Sequence, residues 1–173
     1  MIRSTLFVLA ITFIWLLEGH TIWAQQKGND KEHAELAKAL KGVKTSLERG
    51  LSASESQGKP ISGKFEVEDG KLQLSFYTMK GEKFSEVIVN HMTGKVAKTE
   101  AITGGGDLAA AKAQSGAMAK AKVSLRSTTE KAVKANKGFR AVSVTPSLKD
   151  GHPVADITLV KGEEFKTASE KLD

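Results

Sequence analysis

Residues 69–96 read DGKLQLSFYTMKGEKFSEVIVNHMTGKV, and the order of turns and alternating side chains in this stretch decides the fold. Asp69-Gly70 is a hairpin dipeptide: the two-residue turns that match strand twist need positive φ, which Asp and Gly tolerate. Leu72, Leu74 and Phe76 then alternate with polar neighbours, which puts them on one face of a strand. Lys80-Gly81 turns the chain again, Phe84 to Val89 reads as the next strand, and Asn90 to Lys95 turns into a short strand near Val96. Just upstream, Ile61, Phe65 and Val67 alternate and supply the strand that enters the first hairpin. The segment is an antiparallel meander.

Working outward, the period changes from 2 to about 3.6. From Glu32 the apolar residues fall at Leu36, Leu40, Val43, Leu47 and Leu51, one stripe of a single helix that Asn29 or Asp30 can cap. Gly50 weakens that helix by roughly 1 kcal/mol relative to Ala, and Gly58 and Pro60 end it. Downstream, Thr103-Gly104-Gly105-Gly106 breaks the chain, and Asp107 is placed to cap an alanine-rich helix from Leu108 to Lys137 that ends at Gly138. Val142, Val144 and Leu148 alternate next, Asp150-Gly151 turns, Ala155, Ile157 and Leu159 alternate, and Lys161-Gly162 turns.

That order repeats the first half. A shift of 81 positions lays Asp69-Gly70 on Asp150-Gly151, and Lys80-Gly81-Glu82 and Phe84 on Lys161-Gly162-Glu163 and Phe165. Leu74 and Phe76 fall on Ala155 and Ile157, so the inward face keeps its parity, which a slip of one residue would reverse. The expectation is an α+β protein of two tandem units, each a helix packed on an antiparallel β-meander: 32–99, then a glycine-rich hinge at 100–107, then 108–173 with a long N-terminal helix. Units this small bury only about 60% of their unfolded surface, so the two are expected to dock.

Residues 1–24 carry targeting information. Arg3 precedes the largely apolar run Leu6 to Leu17, and Ala24 is a small residue suited to signal-peptidase cleavage before Gln25. The other reading is a membrane anchor, but these twelve residues fall short of the roughly 20 that a spanning helix needs. Export to a periplasm or the medium is expected, with 25–31 as a flexible leader and no stable membrane insertion after cleavage. The chain has 173 residues, no cysteine, 6% aromatic residues and a net charge of +6. Loss of Arg3 and Glu18 with the signal leaves that charge unchanged. The cysteine count excludes a disulfide scaffold, a thiolate metal site and a cysteine nucleophile.

The stretch 69–96, with its strand pair, Asn90-His91-Met92-Thr93-Gly94-Lys95 corner and final short strand, resembles the PepSY domain family. GHPVADITLVKGEEFKTASEKLD, residues 151–173, is similar to a shorter member of it. This chain departs from the family in carrying Asn90 where the corner usually has an acidic residue, and the second stretch has no counterpart of Thr93-Gly94-Lys95. The resemblance implies a cystatin-like, helix-on-meander fold. It also implies an exported, non-catalytic module that regulates or inhibits an exported peptidase or another envelope protein.

The residues themselves point to no catalyst. His33, His91 and His152 are scattered, without paired-histidine helix spacing, so no metal and no cofactor is expected. Serines 46, 52, 54, 56, 62, 75 and 115 include no G-x-S-x-G elbow. Glu66 and Glu68 sit on the polar face of a strand, Glu163 and Glu164 in a turn, and the glycines before Asp107 lack the residues of a phosphate loop. Lysines 112, 120, 122, 131 and 134 give the long helix a basic side, which supports an alternative function: binding a polyanion or small anionic ligand. Interleaved aromatics are missing, so nucleic acid is not an expected partner. Met118, Val123 and Leu125 could form a partner groove, with core packing as the default. Pro146 and Pro153 remove strand donors in the second half, so the first meander and its corner Asn90 to Lys95 are the expected contact surface.

Overall fold

The computed structural model describes residues 30–173. The expected signal peptide at 1–24, the cap Asn29 and most of the leader lie outside these residues. The elements are α1 (30–39), which tightens into a 3₁₀ turn at Leu40–Gly42, α2 (Leu47–Ser54), β1 (Lys59–Glu68), β2 (Lys71–Lys80), β3 (Lys83–Val89) and β4 (Val96–Ile102). They continue with α3 (Gly105–Lys120), α4 (Leu125–Ala135), β5 (Arg140–Lys149), β6 (His152–Lys161) and β7 (Glu164–Lys171). The fold is α+β. All seven strands form one antiparallel sheet in the order β4-β3-β2-β1-β5-β6-β7.

The two meanders therefore merge into one sheet, and they do so narrowly. β1 and β5 pair only at Gly63↔Val144 and Lys64↔Ser143. Side chains from both halves, among them Leu51, Phe76, Val144 and Ile157, belong to one buried apolar cluster.

The hairpins follow the sequence reading. Asp69 and Asp150 have φ of 49° and 52°, each followed by a glycine at positive φ. The strands also share an irregularity that alternation did not reveal: the register shifts across Ile61 in β1 and across Val142 in β5, 81 positions apart. Each bulge turns a buried side chain into the core.

The helices differ from expectation. The stripe Leu36 to Leu51 is two helices, because Val43 is extended and Ser46 starts a new helix by accepting the Arg49 N–H at 3.2 Å. The alanine-rich helix expected from Leu108 to Lys137 is likewise two, with Ala121 extended and the Ser124 hydroxyl accepting the Ser127 N–H at 3.2 Å. The same device opens both breaks. The N–H groups of Lys44 and Thr45 donate to the His91 carbonyl at 3.2 and 3.0 Å, and those of Lys122 and Val123 donate to the Leu172 carbonyl at 2.7 and 3.1 Å. His91 and Leu172 are again 81 positions apart and each follows the third strand of its half.

Other expectations need correction. β4 reaches Ile102 and α3 begins at Gly105, so the hinge expected at 100–107 shrinks to Thr103-Gly104. The N-cap of α3 is Gly104, not Asp107, whose carboxylate lies in the first turn and accepts the Tyr77 hydroxyl at 2.7 Å. Gly50 is more than a weak helix residue: a Cβ there would stand 2.4 Å from the Phe76 ring, so its absence admits that ring. Pro146 and Pro153 do not blunt an edge, because β5 and β6 are inner strands. The second half ends on β7, which has no proline.

Helices cover both faces of the sheet. α2 lies over the face that carries Phe76. The next residue, Tyr77, points to the other face, where Asp107 of α3 receives its hydroxyl. α1 runs past the splayed junction of the two halves, with a cleft to β1 (Leu36, Phe65, Val67) on one side and a groove to β5 and β6 on the other. Among the described residues no helix is long and apolar enough to cross a membrane.

Candidate functional site

The residues singled out from sequence do not converge. His33 stacks on Phe165 with ring centroids 4.0 Å apart and planes 6° apart. The Nδ1 of His152 meets Asp173 at 2.9 Å, while that of His91 is buried without a hydrogen-bond partner. Among the described residues no three His, Asp or Glu side chains are grouped to hold a metal ion. The serines serve locally: Ser46 caps α2, Ser54 and Ser56 donate back into α2 carbonyls, Ser75 donates to Glu66, and Ser115 contacts the Met79 sulfur at 2.9 Å. Glu66 also pairs with Lys64, Glu68 accepts from Gln73, and the N-terminal turn of α3 holds its own carboxylate, Asp107.

The lysines of the expected basic helix are divided between α3, α4 and the break between them. Lys120 donates to the Gly151 carbonyl and Lys131 pairs with Glu170 at 2.6 Å. No single basic helix side forms, because the break at Ala121 redirects the chain. Met118 and Leu125 are buried, and Val123 is exposed. The corner Asn90 to Lys95 is a joint against α2. Asn90 Oδ1 accepts the N–H groups of Met92 and Thr93 at 2.9 and 3.0 Å, and a Cβ on Gly94 would stand 2.7 Å from Arg49.

A constellation missed by the sequence reading lies beside α1. A groove of about 680 Å³ runs between Ala34, Ala37, Lys38, Leu40 and Lys41 of the first helical segment and the strand ends at Gly138-Phe139-Arg140 and Val160 to Glu163. Its volume is in the range of small-ligand sites, roughly 300–1,000 Å³. Four cations, Lys38, Lys41, Arg140 and Lys161, line it against one carboxylate, Glu163. Phe139 forms an aromatic patch beneath two ammonium groups, with Lys166 Nζ 3.9 Å and Lys161 Nζ 5.9 Å from the ring centre.

Arg140 is the distinctive member. Gly138, at φ 85°, ends the approach from α4 and sets Arg140 as the first residue of β5. Its guanidinium lies 5.3 Å from the Phe65 ring centre and donates to the Thr45 carbonyl at 3.2 Å. Burial lowers its pKa, and the nearby charge of Glu48 opposes that shift. Among the described residues no carboxylate lies within ion-pair distance of it. A guanidinium has five N–H donors and binds carboxylates with two at once, so a half-buried one with a single carbonyl partner retains capacity for an anion. The groove draws on three separate segments, each of which looks like an ordinary helix end or turn. The only local signal was the cluster of lysines and Arg140 around Phe139.

Comparisons with protein-family models, with curated proteins and with solved structures find no match to this chain.

Proposed function

We propose that this chain is an exported, non-catalytic protein of the PepSY type, built from two tandem units of helices on an antiparallel meander. In this reading the signal is cleaved near Ala24-Gln25, and the protein regulates or inhibits an exported peptidase or another envelope protein in the periplasm or the medium. The recurrence of turns, bulges and helix-breaking carbonyls at 81 positions supports the tandem arrangement.

The observation that carries the binding role is the half-buried Arg140, which has no carboxylate partner among the described residues and sits in a groove with three lysines. An acidic segment or terminal carboxylate of the regulated protein would complete its hydrogen bonds. The test is casein hydrolysis by the exported fraction of the source cells, with and without added protein. Activity should fall, and Arg140→Met or Lys38→Glu should relieve the fall. Unchanged hydrolysis at every ratio overturns the regulatory role, and an equal fall with both variants overturns the groove as its contact.

A second reading is a binding module for a small anionic ligand, moved from the expected basic helix to this groove. The volume of about 680 Å³ and the Phe139 patch favour it. Calorimetric titration with benzoate, a carboxylate on an apolar ring, tests it. A one-to-one isotherm lost in Arg140→Met supports the reading, and absence of heat in the unaltered protein rejects it.

A further inference from the structure

β4 is an outer strand of the sheet, with no strand beyond it among the described residues. Its residues Ala97 to Ala101 are exposed. Edge strands are usually protected by proline, by a bulge, by a covering element or by charged side chains. β4 has no proline; it carries a bulge at Ala97, where Ile88 pairs with Lys98 and Val89 with Val96, and two charges, Lys98 and Glu100, so its regular stretch is Lys98 to Ile102.

The strand reads Val96-Ala97-Lys98-Thr99-Glu100-Ala101-Ile102 and is chemically symmetric about Thr99. One step out are a cation and an anion and two steps out are two alanines, while three steps out the bulge at Ala97 sets Val96 on the other face from Ile102. We propose that β4 pairs antiparallel with β4 of a second copy of this chain, about a two-fold axis through Thr99, to make one sheet continuous through both copies. In that register Lys98 stands opposite Glu100 of the second copy and Glu100 opposite its Lys98, within the stretch beyond the bulge. Directly opposite residues in an antiparallel pair share a face, so each contact is made twice, as a two-fold interface requires.

The charges are available for this exchange. Lys98 and Glu100 of one chain pair with each other at 2.7 Å, with side chains 60% and 55% exposed. On its inner side Glu100 stands directly opposite Glu86 of β3, so an added cation on its outer side relieves a like-charge pair. A register centred on Lys98 would set Glu100 against Val96, and one centred on Glu100 would set Lys98 against Ile102. Only the Thr99 centre matches charge to charge.

The side chains of the other outer strand, β7, are engaged within the chain. Lys166 lies over Phe139, Glu170 pairs with Lys131 and Phe165 stacks under His33. The Arg140 groove is lined by α1 and by the β5 and β6 ends, away from β4, so pairing leaves it open. Success or failure of the dimer therefore says nothing about the groove.

The test is sedimentation velocity on the full chain as recovered from expression, over a wide concentration range. A monomer–dimer equilibrium is expected. Lys98→Glu and Glu100→Lys should each weaken it at least tenfold, because each sets like charges opposite each other twice. Mixing the two variants should restore a heterodimer, and the double exchange Lys98→Glu/Glu100→Lys should restore the homodimer. Circular dichroism confirms that each variant is folded, as substitution at exposed edge positions allows. The chain has no cysteine, so Thr99→Cys introduces a single thiol directly opposite its mate, at a spacing that permits a disulfide. Thr99→Cys should cross-link on mild oxidation and Ala101→Cys, two residues from the axis, should not. A monomer at all concentrations, or a dimer indifferent to both charge reversals and not cross-linked by Thr99→Cys, overturns the proposal.

Discussion

Tyr77 donates its hydroxyl to a carboxylate oxygen of Asp107 at 2.7 Å, and this bond ties the middle of the sheet to the first turn of α3 across the face opposite Phe76. Burial is the largest cause that pushes the phenol pKa above its ordinary 10.0, followed by the bond to Asp107 and the charges of Asp107, Glu86 and Glu66. The chain has one tyrosine, and both tryptophans, Trp15 and Trp23, precede the expected cleavage site. Phenolate absorbance of the processed protein therefore reports Tyr77 alone. Its midpoint should lie above 10.0. Because the folded pKa is raised, the stabilisation is fully present below the unfolded value and is lost as pH rises through the folded one. Tyr77→Phe should cost about 1 kcal/mol at neutral pH in urea unfolding. An ordinary midpoint in the folded protein would show that the bond does not hold in solution.

Glu86 lies opposite both Tyr77 and Glu100 on its neighbouring strands. Burial raises its pKa most, then the charges of Glu66 and Asp107, with Lys64 opposing them. A raised carboxyl pKa means that its contribution to stability is present below the unfolded value of 4.5 and lost as pH rises through the folded value. Glu86→Gln should therefore stabilise the protein at neutral pH, by roughly 0.5 kcal/mol for removal of one facing like-charge pair, and the gain should vanish in acid. Urea midpoints in both conditions measure it. A gain that persists in acid would assign the effect to something other than charge.

The Phe76 ring is held between two glycines. A Cβ on Gly50 of α2 or on Gly63 of β1 would each stand 2.4 Å from a ring carbon, and the ring is fully buried. Gly50→Ala gains about 1 kcal/mol of helix propensity. The clash should nevertheless leave it net destabilising, by up to about 2 kcal/mol, since overpacking a dense core costs about 1–3 kcal/mol. Adding Phe76→Leu to Gly50→Ala should recover part of that loss in thermal unfolding. A stabilised single variant would mean that the ring has room to move.

Leu172 is fully buried, its N–H donates to the Pro153 carbonyl at 2.9 Å, and its carbonyl holds open the break between α3 and α4. Leu172→Ala should cost about 3 kcal/mol from lost burial and the remaining cavity. Removal of residues 171–173 should cost more, because two linker N–H groups lose their acceptor as well. Denaturant unfolding of both variants measures this, and equal losses would show that the carbonyl contributes nothing beyond the side chain.

What the sequence determined by itself is what a few adjacent residues encode. Asp69-Gly70 and Asp150-Gly151 specify hairpins through their own φ preferences, and the alternation through Leu74 and Phe76 sets which face of β2 is buried. The repeat at 81 positions was legible for the same reason. The tertiary structure decided the rest. Apolar spacing runs without interruption through Val43 to Ser46; Ser46 caps a new helix there, and the distant carbonyl of His91 accepts the two N–H groups that the break frees. The alanine-rich segment divides at Ala121 to Ser124 by the same means, with Leu172 as the acceptor. Apolar spacing hid both breaks: the caps Ser46 and Ser124 are local signals that permit one, but the backbone groups freed by unwinding are satisfied by whatever strand end packs against them. The Arg140 groove adjoins the first of those breaks, since the helical segment that ends at Gly42 lies across the gap where β1 and β5 part.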